Sequence, residues 1–267
     1  MPLNSSACLI SPAGSAVVPI RDLQAGCVTC GVADLCLPSR LEPDVIHHLD
    51  ALVGMRRRIR KRDAIYRTGD PFDALYAIRT GSCKTTVHAR DGREQVCGYH
   101  LRGDIIGMDA IHNGRPAGQA IALEYSEVCA LPFDCLEELA REVPALQHSL
   151  HLILLREIDR GHKMMLMLGT MSGEERLAGF LLNLAHRHRE RGYSSTEFIL
   201  RMTRREIGSY LGLTPETVCR LLSRFRQQGL IQLQRRAMVK LLDVAALKRL
   251  TGPRSVSHSP QFSNRLS

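Results

Sequence analysis

Tryptophan is absent from the 267 residues, and aromatic side chains make up only 4% of them. A protein that grips single-stranded nucleic acid by stacking bases on rings has little material here. Long apolar runs are missing too. The best, such as Leu150 to Leu155, fall far short of the roughly 18 consecutive apolar residues a membrane-spanning helix needs, so such a helix is excluded. No Lys or Arg precedes Arg21, and Pro2, Pro12, Gly14 and Pro19 interrupt any apolar core of a leader. No export signal is expected, and the expected location is cytoplasmic.

Acidic residues are scarce in one region only. Residues 1–173 carry 19 Lys and Arg against 20 Asp and Glu, whereas residues 174–267 carry 17 against 7. The net charge of +9 therefore belongs to the last third of the chain, and a basic block of that kind points to a polyanion, nucleic acid above all. With 44% hydrophobic residues the chain has ample material for a core, and its length fits two domains with tails.

Residues 1–20 read as a flexible arm and 252–267, rich in Ser with Gly252, Pro253 and Pro260, as a disordered tail. From Ile59 to Pro132 turn signals recur: Gly69-Asp70-Pro71, Thr80-Gly81, Asp91-Gly92, Arg102-Gly103-Asp104 and Asn113-Gly114. Short strands so punctuated predict a small antiparallel barrel or jelly roll, here assigned with a cysteine loop to residues 21–142. Pro144 opens a long helical pattern assigned to 143–172, with Leu146, Leu150, Ile153, Leu154, Ile158, Met164, Met165 and Leu168 at three- and four-residue spacing. That stripe predicts a two-fold helix pair, with Leu150, Ile153, Leu154, Ile158 and Met165 as the homodimer seam. A helix buried inside its own subunit is the alternative.

The segment 173–251 predicts a DNA-binding domain. Thr203 and Glu206 form a capping-box pattern, Arg204 to Leu211 a short helix, and Gly212 its stop. Thr214 caps a second helix with Pro215 at its first position, where a missing N–H costs nothing. Ile207, Leu211, Leu213, Val218, Leu221, Leu222 and Phe225 are spaced to lock the two helices together. Glu216, Thr217, Cys219, Arg220, Ser223 and Arg224 face outward. Ile231 to Leu233 and Met238 to Leu242 predict a wing around Arg235-Arg236-Ala237, suited to phosphate contacts. The whole is a winged helix-turn-helix aimed at double-stranded DNA, with Thr203 and Arg204 also at the contact face.

Nine cysteines, an odd number without an export signal, point to reduced thiols rather than a disulfide framework. Cys27, Cys30 and Cys36 form C-x2-C-x5-C, which lets one loop wrap three thiolates around zinc or an iron-sulfur centre, or hold a redox pair. A fourth ligand has to come from elsewhere, and spacing alone does not choose it. The order of parts resembles the CRP/FNR superfamily of transcription regulators, and the FNR branch in particular, from about Gly26 to Leu250. The stretches that carry the resemblance are Cys27 to Pro38, Ser126 to Phe133, Glu174 to Leu184 and Met202 to Phe225. It implies an α+β fold: a cyclic-nucleotide-binding-like β-roll, a long dimerisation helix and a winged helix-turn-helix.

That resemblance also implies an oxygen-labile 4Fe-4S cluster on Cys27, Cys30, Cys36 and Cys129, with Leu35 shielding it, and control of dimerisation by the cluster. It implies a TTGAT-type inverted repeat in genes of anaerobic metabolism, with Arg220 reading guanine and Glu216 cytosine. RNA polymerase is implied as a partner of the roll and its loops, with Phe72 to Leu75 and Thr86 to Gly92 as candidates. Two positions depart from the family pattern. Cys219 stands where a serine is usual, which puts the thymine contact in question. Gly161 aligns with an acid that opposes pairing without the cluster, though Asp159 is near; without that charge, loss of the cluster leaves part of the dimer.

Other readings leave weaker marks. A cyclic-nucleotide regulator grips its ligand with Gly-Glu and Arg-Ser pairs, whereas here the loop runs Gly103-Asp104-Ile105-Ile106-Gly107 to Arg115-Pro116-Ala117. A metal-dependent nucleic-acid enzyme would show H-E-x-x-H or H-x-E with P-C-x-x-C, and neither occurs among the eleven histidines. An enzyme is not expected. The run Arg56 to Arg62 reads as a solvated strand face or partner contact rather than a phosphate site.

Overall fold

The structure, a computed structural model, describes residues 26–252 except 28, 29, 32, 38–40, 54, 235 and 236. The expected arm at 1–20, nearly all of the tail and the wing tip Arg235-Arg236 lie outside the described residues. A short helix α1 (Pro43–Leu52) leads into eight strands: β1 (Met55–Ile59), β2 (Ala64–Tyr66), β3 (Ala74–Thr80), β4 (Ser82–His88), β5 (Glu94–Leu101), β6 (Ile105–Ile106), β7 (Gly118–Ala122) and β8 (Ser126–Pro132). They form two four-stranded antiparallel sheets, ordered β1-β8-β3-β6 and β2-β7-β4-β5. Glycines at positive φ sit where the chain reverses, among them Gly81 (φ 83°) between β3 and β4, where an added Cβ would lie 2.8 Å from the Tyr125 carbonyl oxygen. Ile59, Ile65, Ile78, Ile106, Ala120 and Val128 close the space between the sheets.

Two helices follow, α2 (Phe133–Glu142) and the 27-residue α3 (Pro144–Thr170). The apolar stripe of α3 divides between two jobs. Leu146 is fully buried, and Leu150 and Ile153 pack half-buried on the roll with Leu75, Ile105 and Leu136. Those two side chains of the expected seam therefore face their own subunit. Leu154, Ile158 and Met165 stay exposed, joined by Leu155 and Leu166, which the sequence reading passed over. Because 3.6 residues make a turn, positions 151, 155, 158, 162, 165 and 169 share one face, so the free apolar strip lies rotated away from the buried one.

The last third comprises α4 (Gly173–Glu190), β9 (Glu197–Ile199), α5 (Arg204–Leu211), α6 (Pro215–Gln227), β10 (Ile231–Leu233), β11 (Met238–Leu241) and α7 (Val244–Thr251), with a three-stranded sheet ordered β10-β11-β9. Ser172 and Glu175 close a capping box at the start of α4. The guanidinium of Arg176 then donates to the carbonyls of Leu168, Met171 and Leu211 at 2.8–2.9 Å, so one side chain caps the end of α3 and ties it to α5.

This domain packs against the β4-β5 face of the roll. Tyr99 of β5 meets the rings of Phe180 and Tyr210 at 5.8 and 5.0 Å, and the buried Lys84 bridges Glu94 and Glu206 at 3.0 and 3.1 Å. Burial would raise the Glu206 carboxyl, but hydrogen bonds from Thr203 and Lys84 hold it below the usual carboxylate range. The Ser209 hydroxyl also accepts from the Val96 amide at 2.9 Å.

Candidate metal centre and nucleic-acid interface

Three backbone hydrogen bonds of i to i+3 type run in series through the cysteine loop: Cys30 N to Cys27 O, Ala33 N to Cys30 O, and Cys36 N to Ala33 O, at 2.9–3.3 Å. Residues three apart eclipse one another in that geometry. Cys27, Cys30, Ala33 and Cys36 thus share a face, and all four line one strongly apolar cavity. Cys129 lines it from the opposite wall, on β8, where it stands between Arg56 of β1 and Ala77 of β3. Asp50 fixes the start of the loop by accepting from the Cys27 amide at 2.9 Å, and a side chain at Gly26 would strike that carboxylate.

All four thiols are free. Cys135, by contrast, is disulfide-bonded, which departs from the expectation that every cysteine is reduced. Burial first, then Asp50 and the sulfur of Cys129, push the Cys27 thiol up to about 12. Burial likewise pushes Cys36 to about 12, with the other three sulfurs adding to the rise. Burial raises Cys129 as well, against the pull of Arg56. Arg79, which bonds both Glu127 (2.6 Å) and the Cys30 side chain, adds a second positive charge at the rim. Thiols gathered in an apolar pocket beside Arg56 and Arg79 suit an inorganic core that takes up thiolate charge. Among the described residues no three metal-ligating side chains already converge to ligation distance.

Leu35 is not in the lining of this cavity. Two positions past Ala33 on a three-residue turn, it faces elsewhere and packs on Gly103, where it lines an adjacent cavity with Cys36 and Ile153. The shielding position thus covers the far side of Cys36 rather than the pocket itself.

The outward face of α6 has the opposite character. Thr203 accepts from Glu206 N at 3.2 Å while its own amide bonds the Glu206 carboxylate at 2.7 Å, which closes the capping box. Gly212 adopts the left-handed conformation (φ 63°) that stops α5, and Thr214 accepts from Thr217 N to start α6 behind Pro215. Ile207, Leu211, Val218 and Phe225 are fully buried beneath, with Leu221 and Leu222 nearly so and Leu213 partly. Gly208 lets the helices approach, since a Cβ there would lie 2.6 Å from the Leu213 carbonyl oxygen.

Glu216, Cys219, Arg220, Ser223 and Arg224 remain exposed along α6, with Thr217 half-buried. A backbone hydrogen bond and the Thr214 hydroxyl keep the Glu216 carboxyl below the usual range, so it is ionised at neutral pH. Arg224 leans on Glu174 at 3.3 Å, and Arg204 is half-buried at the first turn of α5.

Several joint residues left no local mark: Arg176, Lys84, and Asp104 with its partners Arg187 and Arg191. At the roll loop compared above with a nucleotide pocket, the Asp109 carboxylate accepts from the amides of Ala117 and Gly118 at 3.1 and 3.2 Å.

Residues 56–143 match the cyclic nucleotide-binding domain family, and residues 175–250 the Crp-like helix-turn-helix domain family. The transcriptional regulatory protein btr of Bordetella pertussis is 42% identical over 89% of this chain and 98% of its own length. The fumarate and nitrate reduction regulatory protein of Yersinia pestis is 39% identical over 87% and 95%. Among solved structures, FixK2 of Bradyrhizobium japonicum superposes with a TM-score of 0.69 at 29% identity, covering 74% of this chain and 97% of its own. No described helix is long and apolar enough to cross a membrane. The shared domains, their order and these identities together show that the chain belongs to the CRP/FNR family of DNA-binding transcription regulators, which are not enzymes.

Proposed function

We propose that this protein is an oxygen-responsive regulator of anaerobic transcription, with Cys27, Cys30, Cys36 and Cys129 as ligands of a 4Fe-4S cluster. The observation that carries the reading is the convergence of these four thiols, 93 residues apart at the widest step, on one apolar cavity. When bound, the cluster supplies an inorganic core that oxygen degrades. Cys129 is held rigidly between two neighbouring strands, while Cys27, Cys30 and Cys36 ride on a loop fastened mainly by Asp50, Arg79 and Arg102. Ligation by both sides pins that loop to the roll beside α3, and loss of the ligand set frees it.

On DNA, α6 enters the major groove as part of a homodimer. Arg220 donates to guanine and Glu216 accepts from cytosine of a TTGAT-type half-site, each contact contributing roughly 1–3 kcal/mol of discrimination. Thr217, Cys219 and Arg224 flank them, and the Thr203 and Arg204 end of α5 faces the backbone. The dimer seam is the exposed strip Leu154, Leu155, Ile158 and Met165 of α3. Asp159 is paired with Lys163 at 2.6 Å and Gly161 carries no charge, so opposition to pairing is weak and dimer loss in air is partial.

RNA polymerase meets the tip of the β4-β5 hairpin within Thr86 to Gly92, which is exposed from Val87 onward. Ala74 and Leu75 are buried and Phe72 packs its ring at a tilt against Phe133, so that segment offers less.

Anaerobic purification followed by iron and sulfide counting and a DNA-binding titration tests the proposal. Iron-sulfur absorption with tight binding to the inverted repeat, both weakened by air, is the expected result. A single zinc per chain, or affinity unaffected by loss of iron, overturns it. Cyclic AMP is expected to give no calorimetric heat.

A further inference from the structure

The turn between β5 and β6 consists of Arg102, Gly103 and Asp104, and between them these residues touch two parts, the cysteine loop and the end of α4. Gly103 (φ 88°) lies directly under the cysteine loop, and an added Cβ would stand 2.6 Å from Cβ of Leu35. The Arg102 guanidinium reaches two ways. One terminal nitrogen donates to the Gly31 carbonyl, between Cys30 and Cys36. The other donates to the Tyr193 hydroxyl at 2.7 Å, beyond α4, with the guanidinium 5.5 Å from the centre of that ring.

Asp104 accepts from Arg187 and, at 2.7 Å, from Arg191, both on or just beyond α4. The Arg191 side chain in turn donates to the Arg102 carbonyl at 2.8 Å. These charged side chains are 6–13% exposed, so they are held largely out of water, where an unpaired charge is strongly disfavoured.

We infer that Arg102 is a positioning residue that ties the placement of the cysteine loop to the seating of the DNA-binding domain on the roll of the same subunit. A guanidinium is a rigid planar fork, so a shift of one acceptor turns the whole group and disturbs the bond to the other. Its Nε is buried without a partner, so the group is held by its two terminal nitrogens alone. Displacement of the loop therefore removes Gly31 as an acceptor and loosens Tyr193 and the end of α4. This path runs within one subunit and is separate from the pairing of two α3 helices. It rests on the reading that the loop moves when its ligand set changes.

Hydrogen exchange on the full chain under anaerobic conditions tests it, comparing wild type, Arg102→Ala, Cys129→Ser and the double variant, with iron measured on the same samples. Each single change is expected to speed exchange of the 187–193 amides severalfold, and the double to be no faster than the faster single. Tyr193→Phe, which removes only a hydroxyl from a half-exposed ring, is expected to show the same non-additivity with Cys129→Ser. Rates that multiply in the double variants, or amides 187–193 unmoved by Cys129→Ser, overturn the inference. Iron-free wild-type protein would sink the cluster reading and this inference with it, whereas iron-replete wild type with rates that multiply overturns the inference alone.

Discussion

The cysteine cavity and the reading face of α6 manage polar chemistry in opposite ways. In the cavity, burial leaves thiols that resist ionisation and wait for a partner from outside the chain. In the helix-turn-helix, Thr203 with Glu206 already satisfies the start of α5 and Thr214 the start of α6, and the charged side chains of α6 stand in water above a closed core. One region is incomplete alone and so is suited to change. The other is complete and suited to be moved as a rigid body. The switch proposed above needs both, since a reader that deformed with its sensor would lose the geometry of its base contacts.

Damage confined to one region should therefore leave a distinct signature. Cys129→Ser is expected to have the largest effect, loss of essentially all bound iron by metal analysis, while the thermal transition of the DNA-binding domain stays in place. A concurrent collapse of that domain would break the separation drawn here. Phe225→Ala, at a fully buried site, is expected to cost about 3–5 kcal/mol in chemical unfolding and to abolish DNA binding with iron content intact.

How much of this was legible beforehand follows from the range of the interactions. Capping boxes, the Gly212 stop and the Pro215 start act within four residues, so the helix-turn-helix could be read directly, and the resemblance gave the order of parts. The C-x2-C-x5-C loop has spacings that are multiples of three, the period its hydrogen bonds impose, so its one-sided character was latent in the sequence. Cys129 came only from the resemblance, because its meeting with the loop depends on the register of β8 with β1 and β3. Helices α1, α2, α4 and α7 and strand β9 went unremarked. The division of the α3 stripe also escaped notice, since periodicity cannot say whether a face meets its own roll or a second copy. The buried Asp104, Arg187 and Arg191 group joins residues more than 80 positions apart and has no local signal at all.

Between these regions lies a junction that is expected to respond to acid. His100 of β5 is buried between the Thr85 hydroxyl and Arg160 of α3, at 3.0 and 3.2 Å. Burial, then the Arg160 charge, lowers its pKa to about 3. Above pH 6.5 the imidazole is neutral folded or unfolded and pH has no effect through it. Below that value only the unfolded chain takes up the proton, so stability falls as pH drops from about 6.5 toward 3. Urea titrations across that range are expected to show the slope, and His100→Gln to flatten it. An unchanged slope would remove the junction from the account. The smallest effect expected is at the DNA surface: Arg220→Ala is predicted to lose about 1–3 kcal/mol at one guanine position, leaving binding to sites already altered there unchanged.

The most direct measurement is a count of iron, sulfide and zinc on protein purified without air, taken together with the dissociation constant for the inverted repeat before and after oxygen exposure. About four iron and four sulfide per chain are expected, with weaker DNA binding once oxygen has removed them. One zinc per chain, or an affinity that does not move as the iron is lost, would contradict the account.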